Sequence, residues 1–230
     1  MKQEEIVKMF DSIADRYDLV NRVLTFGIDK KWREKVVEIA INELKKDDLK
    51  ILDVACGTGD MIEIWKKKKK DINIYGLDPS KEMLKKAKKK FLDVTFFNSF
   101  ATDIPFDDNF LDAISISFGI RNVLEIRKAI KEFNRVLKKD GIVLVLEFVK
   151  AQNPNTFRKW IDYYSHKLLP KIGGVLSKNR QAYEYLPNSI ENFFTKNELI
   201  SLFKEENFKI VKYKEFNFGQ VGGFIFKKIS

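Results

Sequence analysis

The residues with the clearest chemical content are Ile51-Leu-Asp-Val-Ala-Cys-Gly-Thr-Gly-Asp60. An apolar segment ends in Asp53 and is followed by Gly57 and Gly59 at the expected start of a helix. Glycines here let the backbone approach a ligand closely and adopt conformations barred to other residues. About twenty residues further on, Tyr75-Gly-Leu-Asp78 closes a second apolar segment with another carboxylate. Asp78 is placed to accept two hydrogen bonds from vicinal ribose hydroxyls. Its simpler alternative is to cap the helix that follows.

Two nucleotide cofactors compete for this loop. A dinucleotide fold wants a third glycine for close helix–strand packing. Ile62 stands in that place. A pyrophosphate also prefers neutral or cationic surroundings, whereas Asp53 and Asp60 flank the loop. These carboxylates suit the ammonium and sulfonium of S-adenosyl-L-methionine, so the loop reads as a methyl-donor site.

Other chemistries are restricted by composition. Cys56 and His166 are the only cysteine and the only histidine among 230 residues. There is no disulfide framework or cysteine-based metal site, and a serine–histidine–aspartate apparatus is disfavoured. Nothing cationic beside Cys56 in sequence lowers its thiol pKa, so it reads as a small packed turn residue. The net charge of +10 suits an anionic surface or lysine-rich solvated helix faces. The run 66–70 has no interleaved aromatics, and no nucleic-acid partner is expected. The start of the chain lacks a signal-peptide pattern, and no apolar run reaches the roughly 20 residues that span a bilayer. A cytoplasmic location is the expectation.

The elements around these residues alternate. Ile6, Phe10, Ile13 and Tyr17 fall at helical spacing, and a second helix is predicted over 30–44. Strands are then predicted over 50–55, 73–78, 94–98, 111–117 and 141–148. Helices are predicted over 60–68, 80–91 and 125–137, with Ser80 at an N-cap. This order predicts an α/β fold with a parallel sheet covered on both faces. Thr195 and Glu198 form a capping-box pattern. The runs 208–218 and 222–228 then predict an antiparallel pair at the end of the sheet. The reading is of a single domain: N-terminal helices (1–47), a cofactor-binding core (48–150), a helical insertion (151–190), and a terminal helix with two strands (191–230).

Several segments together point to a family. They are Phe10-Asp-Ser-Ile-Ala-Asp-Arg-Tyr17-Asp18-Leu-Val-Asn21, Trp32, the glycine loop, Ile116-Ser117-Phe118-Gly119-Ile120-Arg121-Asn122-Val123, Arg135-Val-Leu-Lys, Val145-Leu-Glu147-Phe148 and Tyr183-Glu-Tyr185-Leu. Across nearly the whole chain the sequence resembles the ubiquinone/menaquinone biosynthesis C-methyltransferases. The resemblance implies a Rossmann-like class I methyltransferase fold, with a seven-stranded sheet whose last strand is antiparallel. It implies methylation of a ring carbon of a polyprenylated quinol by S-adenosylmethionine. Carried over residue by residue, the cofactor contacts are Thr58, Asp78, Phe100, Ala101 and Ser117. The chain departs from the family at four places. Phe100 stands where the family has Asn or Asp, which moves the adenine contact to backbone or to Asp103. Asp29 and Phe224 stand where histidines are common. Lys138-Lys-Asp-Gly141 replaces a Lys-Pro-Gly-Gly turn.

Ring methylation needs an electron-rich carbon, which a quinol provides when its hydroxyl ionises. At pH 7 that ionisation costs about 4 kcal/mol for a phenol of pKa near 10. An adjacent guanidinium recovers roughly 1–3 pKa units of it. Arg121 is the expected catalytic cation, with Asn122 orienting the same oxygen and Tyr17 and Asp18 completing the site from an N-terminal lid. The competing role for Arg121 is a surface ion pair with Glu125. Tyr163, Tyr164, Leu168, Leu169, Ile172 and Val175, helped by Phe193 and Phe194, are candidates to shelter the isoprenoid tail. Peripheral contact with an anionic membrane follows from that tail. A homodimer is left open, as is the choice between naphthoquinol and benzoquinol. The rival readings are methylation of RNA, protein or a small-molecule oxygen, a nicotinamide oxidoreductase, and a catalytically silent scaffold.

Overall fold

The computed structural model describes residues 2–25, 27–150 and 180–229. Two short helices, α1 (Gln3–Ile13) and α2 (Tyr17–Thr25), precede the longer α3 (Ile28–Leu44). The helical spacing from Ile6 to Tyr17 thus belongs to two helices, parted by a turn at residues 14–16. Alternation follows: β1 (Leu49–Val54), α4 (Asp60–Lys68), β2 (Ile72–Leu77), α5 (Lys81–Lys90), β3 (Thr95–Phe97), β4 (Leu111–Ser117), α6 (Ile126–Val136) and β5 (Leu137–Phe148). The C-terminal elements are α7 (Arg180–Glu191), α8 (Lys196–Glu205), β6 (Phe208–Phe216) and β7 (Val221–Lys228).

The seven strands form one sheet in the order β3-β2-β1-β4-β5-β7-β6. The first five pair in parallel, and β7 runs antiparallel between β5 and β6. The apolar run Gly222-Gly-Phe-Ile-Phe226 fills an interior position buried on both faces, while the alternating exposure of β6 marks an edge. One face of the sheet packs against α6 and α8, through Phe133, Leu199 and Phe203. The other packs against α3 and α4, through Val36, Ile62 and Trp65. Ile62 is fully buried there, as expected for a packing residue at the third-glycine place.

Capping follows the sequence signals. Ser80 accepts from the Met83 amide, and Thr195 and Glu198 form a reciprocal capping box. The lysine run that closes α4 is spent on local carboxylates: Lys66 with Asp93, Lys67 with Glu34, Lys68 with Glu38 and Lys69 with Asp47. Phe224, where the family's histidine was expected, is a fully buried ring among Tyr213 and Phe226.

Candidate active site

The parallel strands end on the same side of the sheet, and there the chain encloses a cavity of about 380 Å³. Its floor is built from Val54, Ala55 and Gly57 after β1, from Leu77 to Ser80 after β2, from Phe100 to Thr102 after β3, and from Ser117 to Gly119 after β4. Helix α1 roofs it with Gln3, Ile6, Val7 and Phe10, and Tyr17 closes one end. A crevice at the carboxyl ends of strands, where the strand order reverses, is where such sheets bind ligands.

Two backbone features shape the loop. Gly57 and Gly59 have φ of +54° and +93°. A Cβ on Gly59 would lie 2.5 Å from the Phe91 ring, so no other residue fits there. The amides of Gly57 and Ser80 each donate at 2.8 Å to one carboxylate oxygen of Asp78. Bracing the turn before α5 and lining the cavity are two separate features of Asp78. Each of its oxygens keeps a second lone pair for a ligand. Burial pushes its carboxyl up to about 6.

Asp53 lies below the loop, 1% exposed, and takes a 2.7 Å hydrogen bond from Ser115. Burial raises its carboxyl to about 7, against the lowering hydrogen bond from Ser115. Among the described residues its Oδ2 and the buried Oγ of Ser117 have no hydrogen-bond partner. Unpaired buried oxygens beside a glycine loop match a ligand that carries a positive charge and donor groups. The donor set thus fits S-adenosylmethionine.

Of the residues singled out in the sequence, Tyr17, Gly57, Asp78, Phe100, Ala101, Ser117 and Asn122 line the cavity. Asp53, Thr58, Gly59 and Arg121 stand behind it. The Thr58 hydroxyl donates at 2.5 Å to Asp18 on α2, whose other oxygen holds Lys90. Burial would raise the Asp18 carboxyl, but Lys90 and Thr58 together hold it below its ordinary value. Asp60 does not face the cavity as a free anion. It pairs with Arg22 at 2.5 Å, and Asp29 pairs with both Arg22 and Arg33. Asp29, at the family's histidine place, is thus part of the joint between α2 and α3. Asp103 is exposed and outside the cavity lining, whereas Thr102 lines it beside Phe100.

Arg121 follows β4 in a short 3-10 turn, Ile120–Asn122. Its ion-pair partner is Glu147, a fully buried carboxylate at the end of β5, and not Glu125. Nε donates to Ser189 Oγ at 3.2 Å, and Nη1 donates to the Phe118 carbonyl at 3.0 Å. Asn122 takes a 3.1 Å hydrogen bond from the Tyr185 hydroxyl through its side-chain oxygen. Burial raises the Tyr17 and Tyr185 phenols, with Arg121 acting in the opposite sense on both.

Three residues given no role from the sequence also shape the site. Gln3 brackets the loop after β4, donating to the Asn122 carbonyl and accepting from the Leu124 amide, both at 3.0 Å. Asp11 accepts from Ser80 Oγ at 2.6 Å and from the Glu82 amide at 3.2 Å, which caps α5 from outside. Glu147 had a visible signal: it is a lone carboxylate inside an apolar strand. The tail candidates between 163 and 175 lie outside the described residues. Phe193 and Phe194 pack against each other and the core, away from the cavity lining.

This sheet order and cavity define a class I methyltransferase that takes its methyl group from S-adenosylmethionine. A solved SAM-dependent methyltransferase from Thermotoga maritima, described as a possible histamine N-methyltransferase, superposes with a TM-score of 0.67 over 96% of this chain and 99% of its own. At 20% identity that likeness concerns the fold alone. The profile of the ubiE/COQ5 methyltransferase family matches residues 1–228, and the chain belongs to that family. The ubiquinone/menaquinone biosynthesis C-methyltransferase UbiE of Campylobacter jejuni (strain 81-176) is 50% identical over 99% of both chains. The demethylmenaquinone methyltransferase of Thermotoga maritima is 39% identical over 97% of this chain and 96% of its own.

Proposed function

We propose that the protein methylates a ring carbon of a polyprenylated quinol in menaquinone or ubiquinone synthesis, with demethylmenaquinol as the foremost acceptor. The observation that carries this is the cavity at the strand tips, which Asp78, Ser117, Tyr17 and Asn122 line together. The half-identical full-length relative named for this chemistry supports it. S-adenosylmethionine, when bound, supplies an electrophilic methyl on a cationic sulfur.

Asp78 would hold the donor's ribose hydroxyls, and the Gly57–Gly59 backbone with Asp53 would receive its cationic amino-acid end. Phe100 and the Ala101 backbone would receive the adenine. The acceptor ring enters beside Tyr17 and Asn122. Arg121 stabilises the developing phenolate from behind Asn122, through Nη2, which donates to none of the described residues. Holding the ring carbon in line with the methyl group supplies the remaining acceleration. Arg121 keeps its proton, because a guanidinium is not a base at this pH. A water or carboxylate takes the hydroxyl proton. The methylated ring carbon then loses its hydrogen as a proton to water, and the demethylated sulfide leaves.

The test incubates purified protein with isotope-labelled S-adenosylmethionine and either reduced demethylmenaquinone or the matching benzoquinol in detergent. Label on a ring carbon is the expected result, and label on oxygen or none in a donor-binding protein would refute it. Arg121→Lys keeps the charge but loses the fork, and kcat should fall ~10²-fold. Unchanged turnover would remove Arg121 from the chemistry.

Peripheral membrane contact belongs to the same proposal. Among the described residues no helix is long and apolar enough to cross a membrane. Exposed Leu19, Val23 and Ile28, on and after the lid helix α2, support contact with a lipid surface, as does the net charge of +10. Lysines near an anionic surface each contribute about 1 kcal/mol.

A further inference from the structure

We propose that Glu147 is a positioning residue for methyl transfer: it fixes the Arg121 guanidinium edge-on to the acceptor and tempers its field there. The proposal rests on the role of Arg121 given above.

The geometry is specific. Glu147 is fully buried, and the Arg121 side chain is 7% exposed. One Glu147 oxygen takes Nη1 of Arg121 and the Phe148 amide, the latter at 2.8 Å. The other takes the Arg121 amide at 3.4 Å. Glu147 therefore grips Arg121 by side chain and backbone together. With Nε on Ser189, Nη1 doubly engaged and the guanidinium 5.7 Å from the Phe148 ring, Nη2 is the nitrogen that donates to none of the described residues. A lone guanidinium in this setting would turn toward water. The carboxylate prevents that, because a buried cation is stable only when paired.

The same carboxylate cancels part of the positive field. Among the described residues, the titratable groups facing the pair are Tyr17 from α2 and Tyr185 from α7. Across the sheet from β7, Glu147 faces Gly222, which carries no charge. Burial raises the Glu147 carboxyl against the lowering influence of Arg121. Glu147 thus takes up a proton more readily than an exposed acid, and its loss of charge strengthens the field of Arg121 on an acceptor hydroxyl.

Glu147→Gln separates positioning from bulk. The plateau kcat should fall at least tenfold. The acid limb of the kcat–pH profile should move down by about one unit, because the uncancelled guanidinium favours the phenolate. Donor affinity should be unchanged. Glu147→Asp retains the charge and shortens the reach, so its kcat should fall while its acid limb stays in place. The double variant Arg121→Met, Glu147→Leu replaces the pair with apolar groups, and should fold and bind donor but transfer no methyl. The probes are S-adenosylmethionine and short-tailed demethylmenaquinol kept reduced. An acid limb unmoved in Glu147→Gln, with kcat within twofold of the parent, overturns the proposal. If Arg121→Lys is fully active as well, the fault lies in the Arg121 reading. If only that variant is impaired, Arg121 acts without Glu147.

Discussion

At the scale of single residues, the site is a contest between burial and charge. Asp53 and Asp78 are held near 7 and 6, well above a free aspartate, because burial disfavours their ionised forms. As pH rises from about 4, the unfolded chain loses these protons before the folded one does. Stability without donor therefore falls across that window and levels off above pH 7. Keeping Asp53 ionised costs ~4 kcal/mol, which a bound cation offsets. Donor binding should therefore release protons between pH 6 and 7. Calorimetry in two buffers of different ionisation enthalpy will read the release, and buffer-independent heats would contradict it. Asp78→Asn keeps the shape but gives up one acceptor oxygen. Donor affinity should fall by 10- to 100-fold, about 1.4–2.8 kcal/mol, as read by titration calorimetry. Asp53 and Asp78 were legible because each ends an apolar strand. Asp60 misled, since its partner Arg22 lies 38 residues away on another helix. The Arg121–Glu147 pair was within reach: β4 and β5 run parallel with Ser117 opposite Leu146, which brings the next carboxylate beside the turn.

At the scale of elements, helix α1 is a roof pinned at both ends. Gln3 holds the loop that carries Asn122, and Asp11 caps α5 beside Asp78. Both pins link the roof to segments that line the cavity. Asp11→Ala removes a cap and should cost ~1 kcal/mol, seen as a lower melting temperature. Gln3→Ala should leave melting nearly unchanged yet speed release of the spent sulfide, measured by stopped-flow displacement. Gln3 did not stand out in the sequence, because a glutamine on a helix looks like any solvated side chain. Asp11 lies in a family segment, but nothing in the sequence pointed to its contact with Ser80. The alternation of β1 to β5 with α4, α5 and α6 was readable, since continuous apolar runs and helical spacing differ in period. The break between α1 and α2 was not, because Tyr17 continues the phase of Ile13. The start of β5 at Leu137 was also missed. Leu137 pairs with Leu111 ahead of a register shift, and Lys138-Lys-Asp-Gly141 looked like a plain turn.

At the scale of the whole molecule, a cationic chain presents a lid helix with exposed Leu19 and Val23 beside a cavity suited to an apolar substrate. Vesicles containing anionic lipid should sediment with the protein at low salt and release it near 0.5 M salt, where the Debye length falls to a few ångströms. Equal binding to neutral vesicles would put the attraction in the apolar residues alone, and no binding at low salt would remove the membrane from the proposal. Every role assigned to the acceptor side presupposes a donor seated against Asp78 and the glycine loop. The most direct measurement is a titration of the folded protein with S-adenosylmethionine and, separately, with its demethylated sulfide product. Saturable binding of both, stronger at pH 8 than at pH 6, is the predicted result. A protein that is folded by circular dichroism yet takes up neither would contradict it.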